Sequence, residues 1–170
     1  MVNILQNSGL CAKIFVDFKF KEKIMIEKSY VMVKPEFASH PEVIEKVKEY
    51  LLGKAETELT ILKEEYIRYT SEDAGKHYAE HVGKDFYPNL ERYITSDIAY
   101  GMIIEGENAI AQIRAIVGAT KNPAEGTIRY EIPKMLGLNL RVTENVVHAS
   151  DSTESADREI AIFEDIVNRK

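Results

Sequence analysis

The segment Asn145-Val-Val-His-Ala-Ser-Asp-Ser152 sets a histidine at the end of an apolar, β-prone run, just before serine and aspartate residues able to cap a following helix. A side chain at position 148 is fixed at its root and open at its tip. In its neutral form the imidazole of His148 is a nucleophile near pH 7, and a phosphoryl group taken onto a ring nitrogen stays labile enough to be passed on. Such a ring must be held in one tautomer. Glu159 falls two turns into the helix expected next, where its carboxylate can accept the proton on the other ring nitrogen. On residue type alone, a strand-end histidine reads first as a structural one, satisfied by its neighbours. His77 and His81 stand one helical turn apart, the spacing of a metal pair, but no third ligand accompanies them and they read as a solvated face. His40, next to Pro41, reads as a loop residue.

The elements that must position these groups follow from hydrophobic spacing. Ser29 to Lys34 is a β-rich run stopped by Pro35, so Lys34 closes a strand. Pro41 to Leu52 carries Val43, Ile44, Val47, Tyr50 and Leu51 at helical spacing, with Gly53 placed for a left-handed cap. Thr57 to Tyr66 alternates through Leu59, Ile61 and Tyr66 as a strand. Ser71 and Asp73 open a helix, Asp97 to Ile104 reads as a buried strand, and Glu107 to Val117 puts Ile110, Ile113, Ile116 and Val117 on one helical face. Asn145 to His148 is the last strand, and Ser152 to Val167 a closing helix with Ala156, Ile160, Phe163 and Val167 inward. The order is β, α, β, short helices, β, α, irregular loop, β, α. It suits a ferredoxin-like split βαβ, an α/β (α+β) fold with an antiparallel four-stranded sheet covered by helices. A doubly wound parallel sheet is less apt, because no glycine-rich loop follows the first strand.

Residues 1 to 24 lack a sustained period and read as an N-terminal extension, either an appendage ahead of a natural start at Met25 or a segment packing Ile14, Phe15 and Phe18 on the domain; 25 to 170 form that domain. A length of 170 residues with 45% hydrophobic content suits one core and one site. The apolar stretches are far shorter than the roughly 20 residues of a bilayer-spanning helix. A net charge of -6 disfavours a broad polyanion-binding face but not a local pocket for one nucleotide. The single Cys11 closes no intramolecular disulfide and no leader pattern is visible, so a cytoplasmic setting is expected.

Seven strings stand in order along the chain: Tyr30-Val-Met-Val-Lys-Pro35, His77-Tyr78, Asp85-Phe-Tyr-Pro-Asn-Leu90, Arg114-Ala-Ile-Val-Gly-Ala-Thr120, Asn122-Pro123, Gly126-Thr-Ile-Arg129 and Asn145 to Ser152. Each is weak alone. Together they resemble the ordered motif series of nucleoside diphosphate kinases, over about Ile26 to Phe163, and Ser155-Ala-Asp-Arg-Glu-Ile160 resembles that family's ending. The resemblance implies ping-pong transfer of the γ-phosphate of a nucleoside triphosphate to a nucleoside diphosphate. His148 would be the phosphorylated nucleophile, Glu159 its orienting carboxylate, Lys34 the residue holding the transferring phosphate, and Tyr78 a neighbour of both Lys34 and the histidine. Arg114, Thr120 and Arg129 would bind phosphates, Asn145 the sugar hydroxyl, and Phe86 and Leu90 would flank the base. Mg²⁺ would arrive on the nucleotide, with Asp151 reaching it through water. A cytoplasmic homo-oligomer, best a hexamer, is also implied, with no membrane or nucleic-acid partner.

The sequence departs from the family pattern in places. Glu36-Phe37 stands where Asp-Gly is usual, Lys121 intrudes before Asn122, and Tyr130-Glu131 replaces Gly-Asp. Ile132 to Thr143 adds length in the irregular loop, and its apolar run from Ile132 to Leu140 is expected to pack on its own domain or on a neighbouring subunit. A catalytically altered, regulatory nucleotide-binding relative is the alternative. A nucleic-acid-binding module fits worse, given the negative charge and the lack of a clustered basic and aromatic surface.

Overall fold

A computed structural model of the chain describes residues 25–138 and 145–169. The expected extension over 1 to 24 lies outside them. Four strands, β1 (Ile26–Val33), β2 (Leu59–Ile67), β3 (Ala99–Glu107) and β4 (Val147–Ala149), form one antiparallel sheet in the order β2-β3-β1-β4. β3 thus lies between β1 and β2, and β1 between β3 and β4, so each βαβ pair is split by a third strand as expected.

The helices divide between the two faces. Against one face lie α1 (Pro35–Ala38), α2 (Pro41–Gly53), α5 (Ala109–Val117) and α6 (Ile128–Met135), which bury Phe37, Val47, Ile113 and Ile128 on Val31, Val33, Met102 and Ile104. Against the other lie α3 (Ser71–His77), α4 (Tyr87–Ile94) and α7 (Thr153–Asn168), packing Ala74, Leu90, Ile94 and Phe163 on Tyr30, Met32 and Ile103. The last five residues of β1 are therefore buried on both faces, and its near-continuous apolar run follows from that.

Local chemistry sets the boundaries. Pro35 and Pro41 each take a first helical position, where a missing N–H is harmless. Thr70 and Asp73 form a reciprocal capping box at α3, and Ser152 Oγ accepts from Ser155 N at α7. Gly101 is required by close approach: a Cβ there would come within 2.6 Å of the Phe163 ring and 2.8 Å of the Tyr30 hydroxyl, so only glycine lets α7 settle on the sheet.

Three expectations need correction. Gly53 is the last residue of α2 rather than a left-handed cap; the cap is Lys54 with φ -109°. In β2, a register shift between Ile61 and Lys63 breaks the simple alternation. Leu59 and Ile61 face the layer of α2, but beyond the bulge Ile67 faces the opposite layer and Tyr66 stays exposed. The stretch expected to be irregular contains α6, nucleated by Ile128 and Ile132 one turn apart and both buried, in spite of Pro133 inside it. Of its apolar run, Ile132 packs on its own domain while Met135 and Leu138 are exposed; Asn139 and Leu140 lie outside the described residues.

Candidate active site

β4 is short, and the turn that delivers it is strained. Val146 is fully buried with φ 33°, a conformation rarely adopted by a β-branched residue. Its carbonyl accepts from Lys34 N at 2.9 Å, tying the entry of β4 to the exit of β1. The same turn brings Asn145 to Lys34, whose Nζ donates to Asn145 Oδ1 at 2.7 Å. Met32 pairs with His148 across the strands, so Lys34 and the histidine share one end of the sheet.

His148 is partly exposed, its side chain 21% open against 4% for Glu159. Its Nε2 lies 3.0 Å from Glu159 Oε2, close enough for a strong contact though not aligned as a good hydrogen bond. Nδ1 is then the ring nitrogen directed away from the carboxylate. Ser150 Oγ donates to the same Oε2 at 2.7 Å, and Ser150 in turn accepts from Tyr30 N. Sequence reasoning missed Ser150. Its signal was available, because residues two apart on an extended segment share a face and His148 had already been singled out.

His77 also departs from expectation. It was read with His81 as a solvated face, yet its side chain is fully buried, 3.8 Å through Nε2 from Glu159 Oε1 and stacked edge-on to His148 at 4.7 Å between centroids. Helix α3 is short and turns this residue inward against α7. Burial holds the ring well below the usual histidine pKa, so it is neutral. Tyr78 packs beside it, 4.5 Å from His77 and 6.1 Å from His148 between centroids.

The cations line the other side. Arg129, at the start of α6, donates through Nη1 to Gly118 O at 2.7 Å and Thr120 Oγ1 at 3.2 Å, and through Nη2 to Val147 O at 3.0 Å. One guanidinium thus joins the end of α5, Thr120 and the strand that carries His148. Burial and the neighbouring Arg114 pull its pKa down to about 10, which leaves it charged. Arg114 is exposed on α5, and Asp151 sits before α7 with its pKa lowered by a Ser155 hydrogen bond and by Arg114. A cavity of about 1200 Å³ includes Arg114 and Asp151 in its wall, but not His148 or Lys34. Phe86 is exposed at the start of α4; Leu90 is buried in the layer beneath, so of this pair Phe86 alone offers open apolar surface.

Lys34 is the costly member of the set. At 6% exposure, burial and then the charge of Arg129 lower its pKa to about 7. The unfolded chain therefore holds this proton more tightly than the folded one between about pH 7 and 10.5, so stability rises with pH across that window. Lys34→Met is expected to raise the melting temperature by several degrees at pH 7, with the gain fading toward pH 10.5. Thermal melts of both proteins across that range check it; a destabilised variant at pH 7 would contradict it.

Comparison with known proteins completes the description. A family model described as nucleoside diphosphate kinase matches residues 27–165. A nucleoside diphosphate kinase of Archaeoglobus fulgidus is 43% identical over 150 residues, covering 84% of this chain and 91% of that protein. One from Methanocaldococcus jannaschii is 40% identical over 142 residues, covering 82% and 94%. Among solved structures, the nucleoside diphosphate kinase of Aquifex aeolicus superposes with a TM-score of 0.69 at 28% identity, over 82% of this chain and 95% of that one.

Proposed function

Because this chain belongs to the nucleoside diphosphate kinase family, we propose that it moves the γ-phosphate of a nucleoside triphosphate to a nucleoside diphosphate through a phosphorylated His148. The observation that carries this reading is the division of the His148 ring: Nε2 faces the buried Glu159 carboxylate at 3.0 Å, and Nδ1 is left as the nucleophile. Glu159 holds the ring proton on Nε2 and stabilises the positive charge that develops as Nδ1 attacks phosphorus. The N–P bond forms as the bond to the leaving diphosphate breaks. An incoming diphosphate then takes the group by the reverse step.

Lys34, Arg114, Thr120 and Arg129 supply the positive charge and hydrogen bonds that phosphoryl transfer chiefly needs. Tyr78 packs beside the reacting ring, and to Asn145, which accepts from Lys34, we assign the contact to the sugar hydroxyl. A phosphate drawn next to Lys34 restores its proton, so binding the anion and charging the amine are coupled. Phe86 offers a π-face that reads every base alike, with Leu90 supporting from below.

The described residues fit a magnesium ion carried on the nucleotide better than one caged by protein. The group of metal-capable side chains next to the nucleophile, His77, His148 and Glu159, has two imidazoles, whereas magnesium takes oxygen ligands in an octahedral set. Bound on the phosphates, the ion would neutralise part of their charge. Asp151, exposed just before α7, would be the residue to reach the ion through water.

No helix among the described residues is long and apolar enough to cross a membrane. We place the enzyme in the cytoplasm, assign residues 25 to 170 to the kinase domain with 1 to 24 as an extension, and propose a closed homo-oligomer, best a hexamer, which light scattering after size exclusion would test. For the chemistry, initial rates at varied ATP and GDP are expected to give parallel double-reciprocal lines. Intersecting lines would contradict transfer through an enzyme-bound phosphate.

A further inference from the structure

Three buried hydroxyl and imidazole groups run in file behind the nucleophile. Tyr30 Oη lies 3.3 Å from Tyr69 Oη, and Tyr69 Oη lies 3.1 Å from His77 Nδ1. His77 Nε2 then faces Glu159 Oε1 at 3.8 Å. The other carboxylate oxygen, Oε2, is the one shared by Ser150 and His148. The file thus ends on the same carboxylate that holds the nucleophile's ring, approached from its free side.

The polarity of such a file follows from satisfying its donors. Both phenols are kept protonated by burial, which pushes their pKa values up, and His77 is neutral. If Tyr30 donates to Tyr69 and Tyr69 donates to His77 Nδ1, both hydroxyl protons are used and the imidazole proton sits on Nε2, where at 3.8 Å it makes a charge–dipole contact with the Glu159 carboxylate rather than a hydrogen bond. In the reverse order, the Tyr30 proton at the far end has no acceptor in the file. The Nε2 lone pair of His77 would also face a carboxylate in a site closed to water. The first order is better at both ends.

We propose that Tyr69, backed by Tyr30, is a positioning residue for phosphoryl transfer: it fixes His77 as the Nε2–H tautomer, which steadies the Glu159 carboxylate and so keeps the nucleophilic nitrogen of His148 free of a proton. With His77 turned to the other tautomer, its Nε2 lone pair repels the Glu159 carboxylate and turns it away from the position in which it meets the His148 Nε2–H. The proton then shifts toward Nδ1, where it blocks attack. The groups around His77 that bear on this balance are Tyr78 from the end of α3, His148 from β4, Glu159 and Arg158 from α7, and Lys34 from the end of β1.

The proposal rests on the phosphohistidine reading, and the tautomer of His77 can be read without any turnover. In ¹⁵N-labelled wild-type protein, His77 is expected to show a protonated Nε2 and a bare Nδ1; a protonated Nδ1 would overturn the assignment. Two variants with similar loss of one hydroxyl then separate positioning from packing. Tyr69→Phe removes the donor to His77 and is expected to lower kcat for transfer about tenfold with little change in KM, alongside a mixed His77 tautomer. Tyr30→Phe removes the hydroxyl behind Tyr69 but leaves the Tyr69 donor and the Glu159 end in place, so kcat should fall clearly less than in Tyr69→Phe and the Nε2–H tautomer should stay the major one. Equal effects of both variants on kcat, or an intact kcat in a folded Tyr69→Phe, would reject the role. If wild-type protein instead shows the expected tautomer but never carries phosphate on His148, the phosphohistidine reading fails on its own terms.

Discussion

His148→Ala is expected to abolish phosphoryl transfer, with a fall of at least about ten-thousandfold, because removing a nucleophile leaves only positioning and charge to act on the bound nucleotide. ADP binding should persist within a few fold. The ring is one-fifth exposed and belongs to neither apolar layer of the core, so the variant should fold. The pairing of lost turnover with retained binding distinguishes a covalent role from a general loss of the site. Calorimetric titration with ADP and a coupled assay with ATP and GDP check it, and residual transfer above about one-hundredth of wild type would exclude His148 as the phosphate carrier.

Arg129→Ala carries the second large effect. The guanidinium spans Gly118 O, Thr120 Oγ1 and Val147 O, so its loss removes a cation at the proposed phosphate site and frees the strand that bears His148. A fall of about a hundred- to a thousandfold in kcat/KM is expected. Part of this is geometric: two carbonyls lose their donors at once. Arg129→Lys should recover less than a tenth of the loss, since a single ammonium does not reproduce a planar fork meeting three acceptors. Steady-state kinetics on both variants test this; near-complete rescue by lysine would mean that charge alone matters at this position.

The site was legible in the sequence where one element determined it. His148 at a strand end, serine and aspartate after it, and Glu159 two turns into the next helix describe a local unit, and the structure brings that pair to 3.0 Å. Lys34 before Pro35 was likewise readable, since proline fixes where the strand must stop. The four strands and the antiparallel split βαβ class were legible from the order of apolar elements, whereas the strand order β2-β3-β1-β4 is known only from the structure. What escaped depended on packing between distant segments. His77 lies among charged and polar residues in a seven-residue helix, so nothing in its neighbourhood announces that α7 will cover it. Tyr30 and Tyr69 are 39 positions apart, and only the fold makes their hydroxyls neighbours. The bulge at Ile61 and Lys63 reverses the facing of half a strand without a glycine or proline to mark it. In α6, Pro133 concealed a helix that Ile128 and Ile132 nevertheless secure by burial.

The chemistry assigned to His148 can be tested in a single vessel. Wild-type protein is incubated with ATP labelled at the γ-position and Mg²⁺ but no acceptor, denatured, and separated from nucleotide. The account predicts label bound to the protein in a form stable to base and lost in acid, located by peptide mapping to the segment containing His148, and released onto GDP when that acceptor is added before denaturation. Label absent from protein that transfers phosphate at full rate, or held on any other residue, would contradict it.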